Sequence, residues 1–499
     1  MKNILALQLT LLLSTGFSQT LSHLSFGPHR VGFQSSLEID YSRPSRSKSV
    51  QGRAVQVNIW YPATFGKSSP LTFNDYVYLE GKEDSTVTGS QNDAAALKRF
   101  LEYPASAGAD LNAWNSFLAE KKPMKANWNP STKAGDFPWV LLIHGSAVQY
   151  ALMGEYLASH GMIAVNVPYK GYLQNNFDVN VPGMETEMRD MEYAVDAAVK
   201  KLGRAPKSMA VVGISFGGQS AVGMAVRNPL IKAVVSLDGG IGSTFGPQLL
   251  NGHPFFNIEK VNMPILHLYN PADAGGNIDW FDVCEFADRY LVAFKHMDHS
   301  FFGIFGSLDN SIPHVLGSSK PRAGDNAEGV LLYTKTFLDG VFSDASFSEK
   351  IMNMNNETSW LPNCVESTSF RKKAFSPKPI NFWKATLEKE GLDGLTRAHT
   401  KYKQEKGIPI SDGSYRALFL DRFSQQDKIT TLAIASLYES DFPQSALPKY
   451  YRGRALQLND RHEEAKPYFT RCLELLNDDR TMAQTEKEAV RTRIQGFLK

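Results

Sequence analysis

The stretch Gly213-Ile214-Ser215-Phe216-Gly217 constrains this chain most, because of what flanks it. Before it runs the apolar, strand-like Met209-Ala210-Val211-Val212, and residues 218–226 are small and apolar, as in a helix packed close to a sheet. A G-x-S-x-G between strand and helix is a nucleophile elbow, a strained turn that lifts the serine hydroxyl above the sheet. Glycine is needed because a Cβ at either position would collide with the adjoining strand or helix. Taken alone, the pentapeptide is equally a tight turn with a surface serine. Its neighbours decide between the two.

Upstream, Phe137-Pro138-Trp139 leads into Val140-Leu141-Leu142-Ile143, an unbroken apolar run typical of a strand covered on both faces. It ends at His144-Gly145-Ser146, where a backbone N–H can meet an oxyanion. The expected donors are Ser146 and, after the nucleophile, Phe216. Downstream, residues 231–237 form another strand pattern with Asp238 at its end. Residues 264–269 form the next and run into Asn270-Pro271-Ala272-Asp273. Residues 290–294 form the last and run into Lys295-His296-Met297-Asp298-His299. Catalytic groups gather at the carboxyl ends of strands in open parallel sheets. The order Ser, Asp, His supplies a nucleophile, a carboxylate that holds an imidazole, and a base that takes and returns the serine proton.

Residues 31–342 resemble the platelet-activating-factor acetylhydrolase and dienelactone hydrolase branch of the α/β-hydrolases. The likeness rests on Gly52-Arg53 with the strand ending Trp60-Tyr61-Pro62, on His144-Gly145 followed by residues 157–165, and on Gly213-Ile214-Ser215-Phe216-Gly217-Gly218. Leu237-Asp238 and His299-Ser300-Phe301-Phe302 with Phe305 complete it. The resemblance implies an α/β-hydrolase fold, a mostly parallel sheet flanked by helices. It also implies a serine esterase with Ser215, Asp238 and His299 as triad and Ser146 and Phe216 as oxyanion donors. Neither cofactor nor metal is implied. Asp273 stands where many α/β-hydrolases carry the acid, so it competes with Asp238. His296 competes with His299, and the aromatic spacing after His299 favours the latter. His144 is expected to support the oxyanion loop.

The remaining features organise the chain. Lys2 precedes an apolar run over residues 4–13 and small residues at 16–18, the form of a signal peptide over residues 1–18. Export to the periplasm or the extracellular space is therefore expected. No other apolar stretch approaches the roughly 20 residues of a membrane span. The catalytic domain is expected over 19–345, with a helical insertion at about 79–136 bearing Trp114, Phe117 and Leu118 on one side. Residues 346–379, rich in Asn, Ser, Pro and Lys, read as a linker. Residues 380–499 read as an all-α domain. In it, residues 448–477 resemble a tetratricopeptide repeat, with Gly453, Ala465 and Cys472 at its small-residue positions. Paired helices of that kind suit a protein partner. A net charge of +2 without basic runs argues against nucleic acid as a partner. Two function classes follow: a secreted serine esterase acting on small-molecule esters, or an inactive hydrolase fold that presents partners on its helical tail. Survival of every triad residue type favours the enzyme.

Overall fold

The structure, a computed structural model, describes residues 21–44, 52–64, 66, 68–82, 93–171, 178–273, 276–343, 347–373, 378, 380–406, 410–477, 479, 482 and 484–498. The expected signal peptide lies outside these residues. Eleven strands form one sheet: β1 Arg30–Asp40, β2 Arg53–Ala63, β3 Pro70–Thr72, β4 Pro123–Trp128, β5 Trp139–Ile143, β6 Ile163–Asn166, β7 Met209–Ile214, β8 Ile231–Leu237, β9 Ile265–Tyr269, β10 Arg289–Phe294 and β11 Val365–Arg371. Their order is β11-β10-β9-β8-β7-β5-β6-β2-β1-β4-β3. β6, β5, β7, β8 and β9 run parallel, while β2 is antiparallel to both β1 and β6.

The apolar runs dictate the middle of this sheet. Every residue of β5 is buried, as are five of the six in β7, because helices cover both faces. Ala151–Ser159 and Ala323–Phe342 pack together as one layer, and Val181–Leu202 and Gly217–Arg227 as the other. Register then aligns the strand ends. Ile143 pairs with Gly213, and Ile214 pairs with Leu237, so His144, Ser215 and Asp238 leave neighbouring strands side by side. All three have positive φ, at 65°, 55° and 44°. Non-glycine residues reach this region only under local strain, and such residues cluster at functional sites.

The insertion supplies two helices, Asp93–Ser106 and Leu111–Ala119. Trp114, Phe117 and Leu118 share the buried side of the second, as their spacing predicts. Phe100 and Trp114 each contact the Phe305 ring, and Trp114 Nε1 donates to Val315 O at 3.0 Å. The insertion is thereby fastened to the segment that follows His299.

The stretch expected as a linker, residues 346–379, is not one. It carries the helix Ser348–Glu357 and the edge strand β11 beside β10. Only Val365 of β11 is fully buried, so the sequence lacks the apolar signature of an inner strand. Two compact units are present, and the chain passes between them more than once. The second unit holds Ile258–Asn262, Ile278–Arg289 and Arg371–Lys499. Within it, Arg289 donates to the carbonyls of Phe281, Cys284 and Lys372, Asp282 pairs with Arg371 at 2.8 Å, and Gly413 N–H donates to Glu285 Oε1 at 3.1 Å. The hydrolase-like chain thus lends a loop to the helical unit.

Among the described residues from Ile380 onward that unit is built of helices, and Asp412–Ser424, Lys428–Asp441, Ala446–Leu458, His462–Leu476 and Gln484–Phe497 pack in succession, each on its neighbour in the chain. Gly453 is a true close approach, since a Cβ there would stand 2.5 Å from the Phe469 ring. Ala465 and Cys472 are buried in the same core. No helix among the described residues is long and apolar enough to cross a membrane.

Candidate active site

The elbow is built by steric necessity. A Cβ on Gly213 would stand 2.1 Å from Gly217 O, and one on Gly217 would stand 2.6 Å from His144 Cβ. With both small, Ser215 turns through φ 55° and its N–H reaches Leu237 O at 3.1 Å. Phe216 follows at the amino terminus of the helix Gly217–Arg227, where unpaired N–H groups and the helix dipole favour negative charge.

Asp238 is 1% exposed, and its two oxygens have distinct partners. Oδ1 accepts the Asn270 N–H at 3.0 Å, and Oδ2 accepts His299 Nδ1–H at 2.6 Å. Asp273 makes a different contact, accepting the backbone N–H of His299 at 2.9 Å through Oδ2. One carboxylate therefore holds the ring and the other holds the turn that carries it. His296 is exposed, with φ 51°. Burial disfavours the His299 imidazolium, but the hydrogen bond and charge of Asp238, with Asp273 behind, outweigh it. Its pKa lies above the ordinary histidine value. Among the described residues, Asp238, Asp273 and His299 are also the set of acidic and histidine groups close enough to share a metal ion, with ligand atoms within 4.8 Å. The direct Nδ1–Oδ2 hydrogen bond uses two of those atoms on each other.

Ser215 and His299 line one cavity of about 440 Å³. Gly145, Ser146 and Gln149 form the oxyanion-loop side, and Phe100 and Tyr103 come from the insertion. Tyr169 and Phe305 add aromatic surface, while Glu80, Arg99 and Lys170 bring charge. A larger depression of about 800 Å³ lies at the opposite end of β5, around Phe137, Arg204 and Lys207, away from these groups.

Residues 156–308 match the Dienelactone hydrolase family, a stretch that holds Ser215, Asp238 and His299. Over that stretch the chain is similar to the dienelactone hydrolases, and its fold is that of an α/β-hydrolase. A solved structure similar to the chain is a ferulic acid esterase from Streptomyces cinnamoneus, at 18% identity and a TM-score of 0.48. That match covers 71% of this chain and 99% of the other. No curated protein matches the chain.

Around the hydrolase site, the support residues are buried and polar. His144 Nδ1 bonds Glu187 Oε1 at 2.9 Å, and Ser220 Oγ donates to Glu187 Oε2. The His144 ring also contacts Phe216, with centroids 5.5 Å apart. Tyr150 is a further support that sequence reading missed. Its hydroxyl donates to Ile143 O at 2.7 Å and accepts the Ile214 N–H at 3.2 Å. It ties the end of β5 to the residue before the nucleophile. Nothing local signals this, since the partners lie 7 and 64 residues away.

Ser146, expected as an oxyanion donor, has its N–H on Gln149 Oε1 at 3.0 Å. Sequence reading missed this contact, which lies in the turn before the helix Ala151–Ser159 rather than at its cap, Tyr150.

Proposed function

We propose that this hydrolase cleaves carboxylic esters of small molecules through an acyl-enzyme on Ser215. The His299 side chain removes the hydroxyl proton as Ser215 attacks the ester carbonyl, and then returns it to the departing alcohol. Water, activated by the same imidazole, releases the acid. Asp238 keeps the proton on Nδ1, leaves Nε2 free to accept, and stabilises the imidazolium that forms. The Phe216 and Ser146 N–H groups meet the oxyanion, each worth about 3 kcal/mol of barrier. Asp273 acts on the backbone of the histidine turn rather than on the ring.

The observation that carries this reading is the 2.6 Å contact of His299 Nδ1 with the buried Asp238, in a cavity that Ser215 also lines. The signal-like residues 1–18 support export. The helical unit is assigned to a protein partner, because successive packed helices build extended surfaces suited to one. Turnover of p-nitrophenyl esters of graded acyl length tests the proposal. Ser215→Ala should lower kcat by about 10⁶-fold, and unchanged turnover would overturn it.

A further inference from the structure

Ser146 opens the turn that leads into the helix Ala151–Ser159, and Gln149 reaches back to its N–H. Two observations make this more than a turn contact. The Ser146 N–H is the donor assigned to the oxyanion, and a backbone N–H has a single proton to give. Gln149 is also exposed and lines the same cavity as Ser215 and His299. Its carboxamide therefore stands on the substrate's side of the loop. Gly145 leaves room for it, since a Cβ there would lie 3.0 Å from Gln149 Oε1.

We propose that Gln149 gates the oxyanion hole: its amide oxygen holds the Ser146 N–H in the resting enzyme and must leave before that N–H can bind the substrate's carbonyl oxygen. The inference rests on the esterase reading of the site. A neutral ester carbonyl competes with the Gln149 amide on nearly equal terms, because both are uncharged acceptors. An oxyanion does better, since a hydrogen bond to an ionised acceptor is roughly twice as strong. The gate therefore opens most fully as charge develops, and it lowers kcat/KM by the hydrogen bond it gives up.

Gln149→Met keeps the side chain's length and removes its acceptor, and Gln149→Ala removes it entirely. Both should raise kcat/KM on p-nitrophenyl acetate by about fivefold, the equivalent of a net hydrogen bond of roughly 1 kcal/mol. Both should also tighten an alkyl boronic acid, which places an oxygen in the hole on bonding Ser215, by a similar factor. Binding of an ether analogue, which has no carbonyl, should not change. A loop loosened by loss of this contact would weaken both inhibitors together. Fluorophosphonate labelling separates the two levels of the argument. An unlabelled wild-type enzyme would overturn the esterase reading and the gate with it. A labelled Ser215, with boronate binding unchanged or weaker in both variants, would overturn the gate alone.

Discussion

The His299 ring and the Asp238 carboxylate meet at 2.6 Å, whereas Asp273 grips the backbone N–H of the same histidine at 2.9 Å. The two carboxylates consequently differ in what their loss should do. Asp238→Asn presents an amide to Nδ1 and favours the wrong tautomer, so kcat should fall by about 10⁴-fold. Asp273→Asn keeps an acceptor for the backbone N–H and should cost less than about tenfold, the worth of one such bond. Steady-state kinetics on one ester ranks them, and the reverse order would transfer the acid role to Asp273.

The pH dependence follows from the direction of the His299 shift. The base must be neutral to accept a proton, so activity is lost as pH falls through its pKa. That pKa is raised, and the acid limb of kcat/KM should therefore lie above the ordinary histidine value of about 6.5. Removing the Asp238 charge takes away what raises it, so the residual activity of Asp238→Asn should show this limb at lower pH. A limb that stays in place would mean another group controls it.

Tyr150→Phe should lower kcat by roughly tenfold with little change in KM, because the lost hydroxyl positions two catalytic segments and touches no substrate. The size follows from the loss of two hydrogen bonds, one to the buried Ile143 O and one from the part-buried Ile214 N. Separate determination of kcat and KM checks it. An effect confined to KM would place Tyr150 in substrate binding instead.

A chain ending at Lys373 keeps β11 and every cavity-lining residue, so kcat on a small ester should stay within about threefold. Its thermal midpoint should fall, since the half-buried Glu285 loses the hydrogen bond from the Gly413 N–H, a net bond worth about 1 kcal/mol. Differential scanning fluorimetry with an activity assay reads both. Loss of turnover in a chain still folded by circular dichroism would make the helical unit part of the active site.

The sequence made some of this plain and hid the rest, for identifiable reasons. The inner strands and the elbow were readable because β5 and β7 are continuous apolar runs, and β8 is nearly so, each ending in residues that mark sharp turns. Asp238 and Asp273 both follow strands, and in sequence only the family resemblance favoured Asp238. Only tertiary placement puts one on the ring and the other on the backbone. β11 was hidden because an edge strand with mostly half-exposed polar residues has the composition of a linker. The loan of residues 278–289 to the helical unit left no trace in composition, since it depends on Arg289 and Glu285 finding distant backbone partners.

The central claim is that Ser215 is the nucleophile, and intact-mass spectrometry after treatment with a fluorophosphonate tests it most directly. One adduct on wild-type protein, mapped by peptide analysis to Ser215 and missing in Ser215→Ala, is the predicted result. Equal labelling of both proteins, or none in wild type, would contradict it.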